Sequence, residues 1–138
     1  MRFMIMVRAH ARSEAGLMPE PEDGVLAEMA AFHEELAQAG VLLDANGLKP
    51  SSQGWRIRYQ DGRRHVTDGP FAETKELIAG YTLIQVRSRA EAMEWARRFP
   101  APFGREGGEI EVRPLYEPED IEALAATESL GEPQALKT

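Results

Sequence analysis

The stretch that decides the fold is WRIRYQDGRRHVTDGPFAETKELIAGYTLIQVR, residues 55–87. Its first half is two alternating runs around Asp61-Gly62. Asp-Gly is the preferred pair for a two-residue hairpin turn, because both turn positions need a positive φ. The turn sets the register: Gln60 opposite Arg63, Tyr59 opposite Arg64, Ile57 opposite Val66, Trp55 opposite Asp68. One face then carries Trp55, Ile57, Tyr59, Arg64, Val66 and Asp68, with the tryptophan packed on the inner side. The other carries Arg56, Arg58, His65 and Thr67 and is the solvated side. The chain next turns at Asp68-Gly69-Pro70, where proline ends the ladder for want of an N–H. It continues into 78–87, IAGYTLIQVR, a strand with few polar positions on either face.

Upstream, FMIMVR at 3–8 is also apolar on both alternating faces, the pattern of a strand covered on two sides. Residues 11–24 are rich in Gly, Pro and acids and read as a loop. Asp23 is placed to cap a helix that runs to Ala39 and stops at Gly40, with Leu26, Met29, Phe32, Leu36 and Ala37 as its apolar stripe. VLLDANGLKPSS, 41–52, is a strand that breaks at Asn46-Gly47 and again at Pro50. Downstream, Ser88 and Glu91 form a capping box. The helix they open presents Ala92, Met93, Ala96 and Phe99, with Trp95 flanking that stripe, and stops at Pro100. EIEVRPLY, 109–116, is a last strand. Pro118 opens a short helix, and the residues after Thr127 read as a frayed end.

The order is β-α-β, hairpin, β-α-β. This predicts an α+β fold: a ferredoxin-like antiparallel sheet with two helices on one face. The second sheet face is left without a cover. Either a second copy packs on it, sheet against sheet, as a homodimer, or the short C-terminal helix folds back over it. The domain proper is residues 1–117, and 118–138 is the helix with an acidic tail.

The chain has 138 residues and a net charge of −7. Residues 117–138 hold six acids and one lysine, a net −5, so the body carries only −2. Neither part offers the basic stripe of a nucleic-acid interface. No apolar run approaches a membrane span, and the first residues do not form a secretory signal. Without cysteine there is no thiol or disulfide chemistry, and a cytoplasmic location is the default. His10, His33 and His65 are not spaced for a metal, so neither metal nor cofactor is predicted.

Two residues have the right type and place for acid–base work. His33 lies beside the apolar stripe of its helix, and histidine as a residue type exchanges a proton near neutrality. It is a general acid or base, or else a core-edge histidine bonded to backbone. Asp68 ends the apolar face of the hairpin, where a carboxylate is costly unless satisfied. It pairs with His33 across a pocket, or else braces the amides of the Gly-Pro-Phe-Ala turn. Candidate binding residues are His10 at the end of the first strand, Trp55, Phe71 and Tyr81 as apolar lining, and Lys75 for an anionic ligand.

TDGPFAETKELIAGY, 67–81, resembles the signature of the DGPF-domain family, a branch of the YCII-related proteins. MRFMIMV, FHEELAQAGVLLDANGLKPSS, EAMEWARRFP and EIEVRPLYE extend the resemblance over 1–117. It implies a dimeric α+β barrel, similar in fold to muconolactone isomerases and small antibiotic-type monooxygenases. A His–Asp pair has been proposed as catalytic in the YciI-like branch. The helix position that matches its histidine is Met29 here, and His33 sits one turn later, so the pair does not carry over as it stands. DGPF-type proteins are also commonly encoded beside extracytoplasmic-function sigma factors. Two functions follow as expectations: a small-molecule enzyme using His33 and Asp68, or a non-catalytic regulatory module that contacts a sigma factor.

Overall fold

The structure, a computed structural model, describes residues 1–129. The frayed end expected after Thr127 therefore lies mostly outside the described residues. Six strands are β1 (Arg2–Arg8), β2 (Leu42–Gly47), β3 (Trp55–Gln60), β4 (Arg63–Asp68), β5 (Ile78–Gln85) and β6 (Ile110–Pro114). Four helices are α1 (Ala11–Glu14), α2 (Val25–Gln38), α3 (Arg89–Arg97) and α4 (Pro118–Ser129). One sheet has the order β2-β5-β1-β6 and is antiparallel throughout, and β3-β4 forms a second, two-stranded sheet. With α2 and α3 on one face, this is the ferredoxin-like α+β layer.

The helix side of the large sheet is built in rows. Phe3, Ile84 and Leu42 make one row, Ile5, Thr82 and Ala45 the next, and Val7, Gly80 and Gly47 the third. A bulge between Leu42 and Asp44 shifts the alternation of β2, so Leu42 and Ala45 share this side. Phe32 and Leu36 of α2, Ala92 of α3, and Val41 and Val86 complete the core over the first two rows. Each large apolar side chain buried there contributes about 1.5–3 kcal/mol. In the third row two of three side chains shrink to glycine, and the packing ends.

Several local expectations change. Asp23 does not cap α2. Pro21 starts a 3-10 turn over Pro21–Asp23, and Gly24, at φ 68°, is the N-cap without a side-chain bond. The Asp23 carboxylate instead accepts from Arg105 Nε at 2.9 Å. The supposed loop after β1 contains α1, capped by His10. Ser88 Oγ caps α3 by accepting from Glu91 N at 3.1 Å, while Glu91 reaches the amide of Arg87. Within α3, Met93 is exposed and Trp95 packs against the core in its place.

The hairpin has the register read from Asp61-Gly62, and those two residues have φ of 53° and 71°. Its packing differs from expectation. Among the described residues the hairpin joins no other strand, and every residue of β3 and β4 is exposed, including Trp55 at 64% and Tyr59 at 69%. The apolar face of the hairpin therefore lies open rather than inward.

The corner after the hairpin is held by backbone and by Ser51. Gly69 N donates to Gly54 O at 3.0 Å, and Phe71 N donates to Ser51 Oγ at 3.1 Å. Ser51 is itself fixed by Glu14, which accepts from its amide at 2.9 Å and from its hydroxyl. The Gly69-Pro70 peptide is cis. The expected Asp68 brace is replaced by these bonds, and the Phe71 ring lies under the Arg56 guanidinium, 3.9 Å from its centre.

The far side of the large sheet presents Met4, Met6 and Leu83 at its centre, each half-buried. Tyr81 OH donates to Asp44 at 2.9 Å and accepts from Asn46 at 3.0 Å along one edge. Arg8 pairs with Glu111 at 3.2 Å toward the other. α4 is exposed along most of its length, and Glu117 anchors its start to the main-chain amide and guanidinium of Arg2 at 3.1 Å.

Candidate functional site

The third row opens into a cleft of about 1020 Å³ between the sheet, α2 and the segments around 11–20 and 102–106. Its floor is Val7, Gly80 and Gly47, with Ala45 and Thr82 behind. A Cβ on Gly80 would stand 3.0 Å from Asn46 O, a tight approach to backbone that glycine avoids, and the floor is bare at that point. Leu17, Met18, Leu26, Met29, Phe99 and Phe103 give apolar walls. Leu17, Met18 and Leu26 are exposed at the mouth.

His33 enters this cleft from α2. Its Nδ1 lies 2.8 Å from the Met29 carbonyl oxygen, one turn back on the same helix, and its Nε2 lies 2.7 Å from Thr82 Oγ1. A carbonyl only accepts, so Nδ1 carries the proton that it donates to Met29 O. In the neutral ring Nε2 then has the lone pair, and Thr82 donates to it. The edges of Phe32 and Phe99 pack against the ring, with centroids at 5.7 and 6.3 Å. The imidazole is thus fixed in orientation and tautomer, with one exchangeable nitrogen, which suits a general acid or base.

The charged lining is largely paired. Arg12 bonds Glu20 at 3.2 Å and lies 4.0 Å from Glu106, and Arg105 holds Asp23. Lys49 is the lining cation without a carboxylate partner among the described residues. His10 stands behind this wall. Its Nδ1 accepts from Arg12 N at 3.1 Å, and its ring stacks on Phe103 at 4.8 Å.

The predicted residues divide accordingly. His33 lines the cleft, and Tyr81 borders it while its hydroxyl is committed to Asp44 and Asn46 on the far side of the sheet. His10 buttresses the wall. Asp68, Trp55, Phe71 and Lys75 lie on the hairpin and its corner, and none lines the cleft. A second groove, about 790 Å³ between α4 and the end of β6, contains none of the predicted residues. Sequence reasoning missed Thr82, whose signal was a hydroxyl in phase with Ile84 in an otherwise apolar strand. It also missed the glycine pair Gly47 and Gly80, which the register places opposite each other.

Among the described residues no group of three His, Cys, Asp or Glu could hold a metal ion, and no helix is long and apolar enough to cross a membrane. Fold and cleft together define an α+β protein with an oriented imidazole over a small-residue floor. The chain belongs to the YCII-related domain family, whose model matches residues 1–119. It is 35% identical over 104 residues to an uncharacterized protein of Rhizobium meliloti (strain 1021), covering 74% of this chain and 83% of that one. Among solved structures it is similar to the 5-chloro-2-hydroxyhydroquinone dehydrochlorinase of Burkholderia phenoliruptrix AC1100 in complex with 2,5-dihydroxybenzoquinone. That likeness has a TM-score of 0.46 and 14% identity, over 86% of this chain and 97% of that one.

Proposed function

We propose that the chain is a small-molecule enzyme of the acid–base type, working in the cleft under α2, with His33 Nε2 as the group that takes and returns a proton. The observation that carries this reading is the bond from His33 Nδ1 to Met29 O. It locks one tautomer and leaves a single nitrogen for proton exchange in a cleft with apolar walls. The test is a thermal-shift and NMR screen of small organic acids. Compounds that stabilise the protein should move the resonances of His33 and Gly80 before any others. A hit that moves only the groove beside α4 would sink the assignment.

The assembly we propose is a homodimer joined at the sheet face opposite the helices. Met4, Met6 and Leu83 supply its apolar centre. Arg8, on the same face, is already paired with Glu109 at 3.8 Å and Glu111 at 3.2 Å, which leaves the three apolar side chains as the part of the face that asks for a cover. The exposed hairpin face of Trp55, Ile57, Tyr59 and Val66 extends the surface. In this reading Asp68 joins the chemistry only where the hairpin of a second copy brings it in, and the same condition applies to Trp55, Phe71 and Lys75. Sedimentation equilibrium decides the matter. A monomer at micromolar concentration would leave both apolar surfaces open, and would favour a regulatory module that docks a protein such as a sigma factor.

A further inference from the structure

We propose that Thr82 relays the proton between His33 and the cleft, and that the ligand it serves is a weak acid with a flat, apolar body. This rests on the reading of His33 as the acid–base group. Thr82 is the buried polar side chain among the described residues, 2% exposed. A hydroxyl in such a place is costly unless bonded, and its partner is His33 Nε2 at 2.7 Å. Since Nδ1–H is given to Met29 O, Thr82 donates to the neutral ring. When the ring takes a second proton, Nε2–H becomes the donor. The hydroxyl then accepts and turns its own hydrogen elsewhere. A hydroxyl can serve both states because it has one donor and two acceptor lone pairs. Valine, the same shape, can serve neither.

Both Thr82 and His33 line the cleft, so that hydrogen can turn toward a ligand held there. An acidic O–H of the ligand gives its proton to Thr82 Oγ1 while the hydrogen already on Oγ1 passes to His33 Nε2. Thr82 ends as it began, the ligand is an anion, and the ring is an imidazolium. Reversal returns the proton to the ligand at the same or a neighbouring atom. The floor admits a flat body because Gly47 and Gly80 face each other there without side chains. The lining carboxylates Glu20, Asp23 and Glu106 are turned to Arg12 or Arg105. Lys49 is the cation free to face the anion formed.

The probe is 4-nitrophenol, whose anion is coloured and whose acid is not, added to the full chain at a pH where the free probe is mostly acid. Bound to the wild-type protein and to Thr82→Ser, it should show a larger ionised share than it does free. Thr82→Val should bind it comparably but lose at least about fivefold of that excess, because the imidazolium N–H is then left unpaired. His33→Gln should lose it entirely. If Thr82→Val keeps the excess, the relay is wrong while His33 stands. If His33→Gln also keeps it, both fall. No binding to the wild-type protein overturns the ligand class. Independently of any ligand, the imidazole ¹⁵N spectrum of the wild-type protein should show His33 protonated at Nδ1, with an Nε2 signal that moves in Thr82→Val and not in Thr82→Ser. An unmoved Nε2 signal in Thr82→Val overturns the relay.

Discussion

Gly69 backs directly onto Ser51: a Cβ placed on Gly69 would stand 1.8 Å from the Ser51 carbonyl oxygen. The obstacle is backbone, so it cannot swing aside. The Asp-Gly-Pro corner needs its glycine for this contact, while the carboxylate next to it makes no bond that holds the turn. Gly69→Ala should therefore cost about 3 kcal/mol and lower the melting temperature by roughly 10 °C. Asp68→Asn should change stability by no more than about 0.5 kcal/mol. Thermal unfolding of the two variants side by side checks this, and equal losses would return the bracing role to Asp68.

Gly47 sits across from Gly80 on the cleft floor, yet a Cβ there meets only Ala79 O, at 4.0 Å. Valine suits a strand, so Gly47→Val should fold with little change in melting temperature while filling the floor. Small acids found to bind the wild-type protein should bind this variant at least about tenfold more weakly, by titration calorimetry. A tenfold loss corresponds to about 1.4 kcal/mol of binding free energy. Unchanged affinity would place the ligand elsewhere.

The dimer proposal makes separable demands on two surfaces. Leu83→Glu puts a charge at the centre of the uncovered sheet face and should yield a monomer by sedimentation. Trp55→Ser combined with Tyr59→Ser should weaken association by about 2 kcal/mol, roughly thirtyfold in Kd, if the hairpin clasps the partner. A dimer unaffected by Leu83→Glu excludes the sheet-to-sheet arrangement.

Acidification should loosen the start of α4. Arg2 holds the Glu117 carboxyl below the ordinary glutamate range, chiefly through the side-chain hydrogen bond. Arg2 is raised in turn, and that half is lost only as pH rises through its already high value. A depressed carboxylate contributes stability that is fully present above its unfolded range and disappears as pH falls through its folded one. Amide exchange of residues 119–124 should thus accelerate, relative to the core strands, at and below the ordinary glutamate range. Glu117→Gln should show fast exchange already at neutral pH.

The sequence carried the hairpin register completely, because Asp61-Gly62 and the pleat fix it locally. The same pattern could not say that the hairpin's apolar face stays open, since burial depends on what lies opposite. The cleft was hidden for a related reason. Its floor is a row across strands far apart in the chain, and the bulge after Leu42 decides that Ala45 and Gly47, rather than Asp44 and Asn46, face the helices. Read by strict alternation, β2 would turn its carboxylate inward. His33 was visible as a candidate from helix phase alone, but its partner Thr82 lies forty-nine residues later in sequence and is found only once β5 is laid under α2.

The junction of Ser51, Gly69 and Glu14 bears on how sister proteins should be sorted. A string held by main-chain contact reports that a chain turns the same corner, and says nothing of what enters the cleft. Chains that share the corner can therefore differ in chemistry without any strain on the motif that groups them. Sorting them by positions 29, 33, 47, 80 and 82 asks a different question of each genome: which members keep a bare floor beneath an oriented imidazole, and which have filled it in.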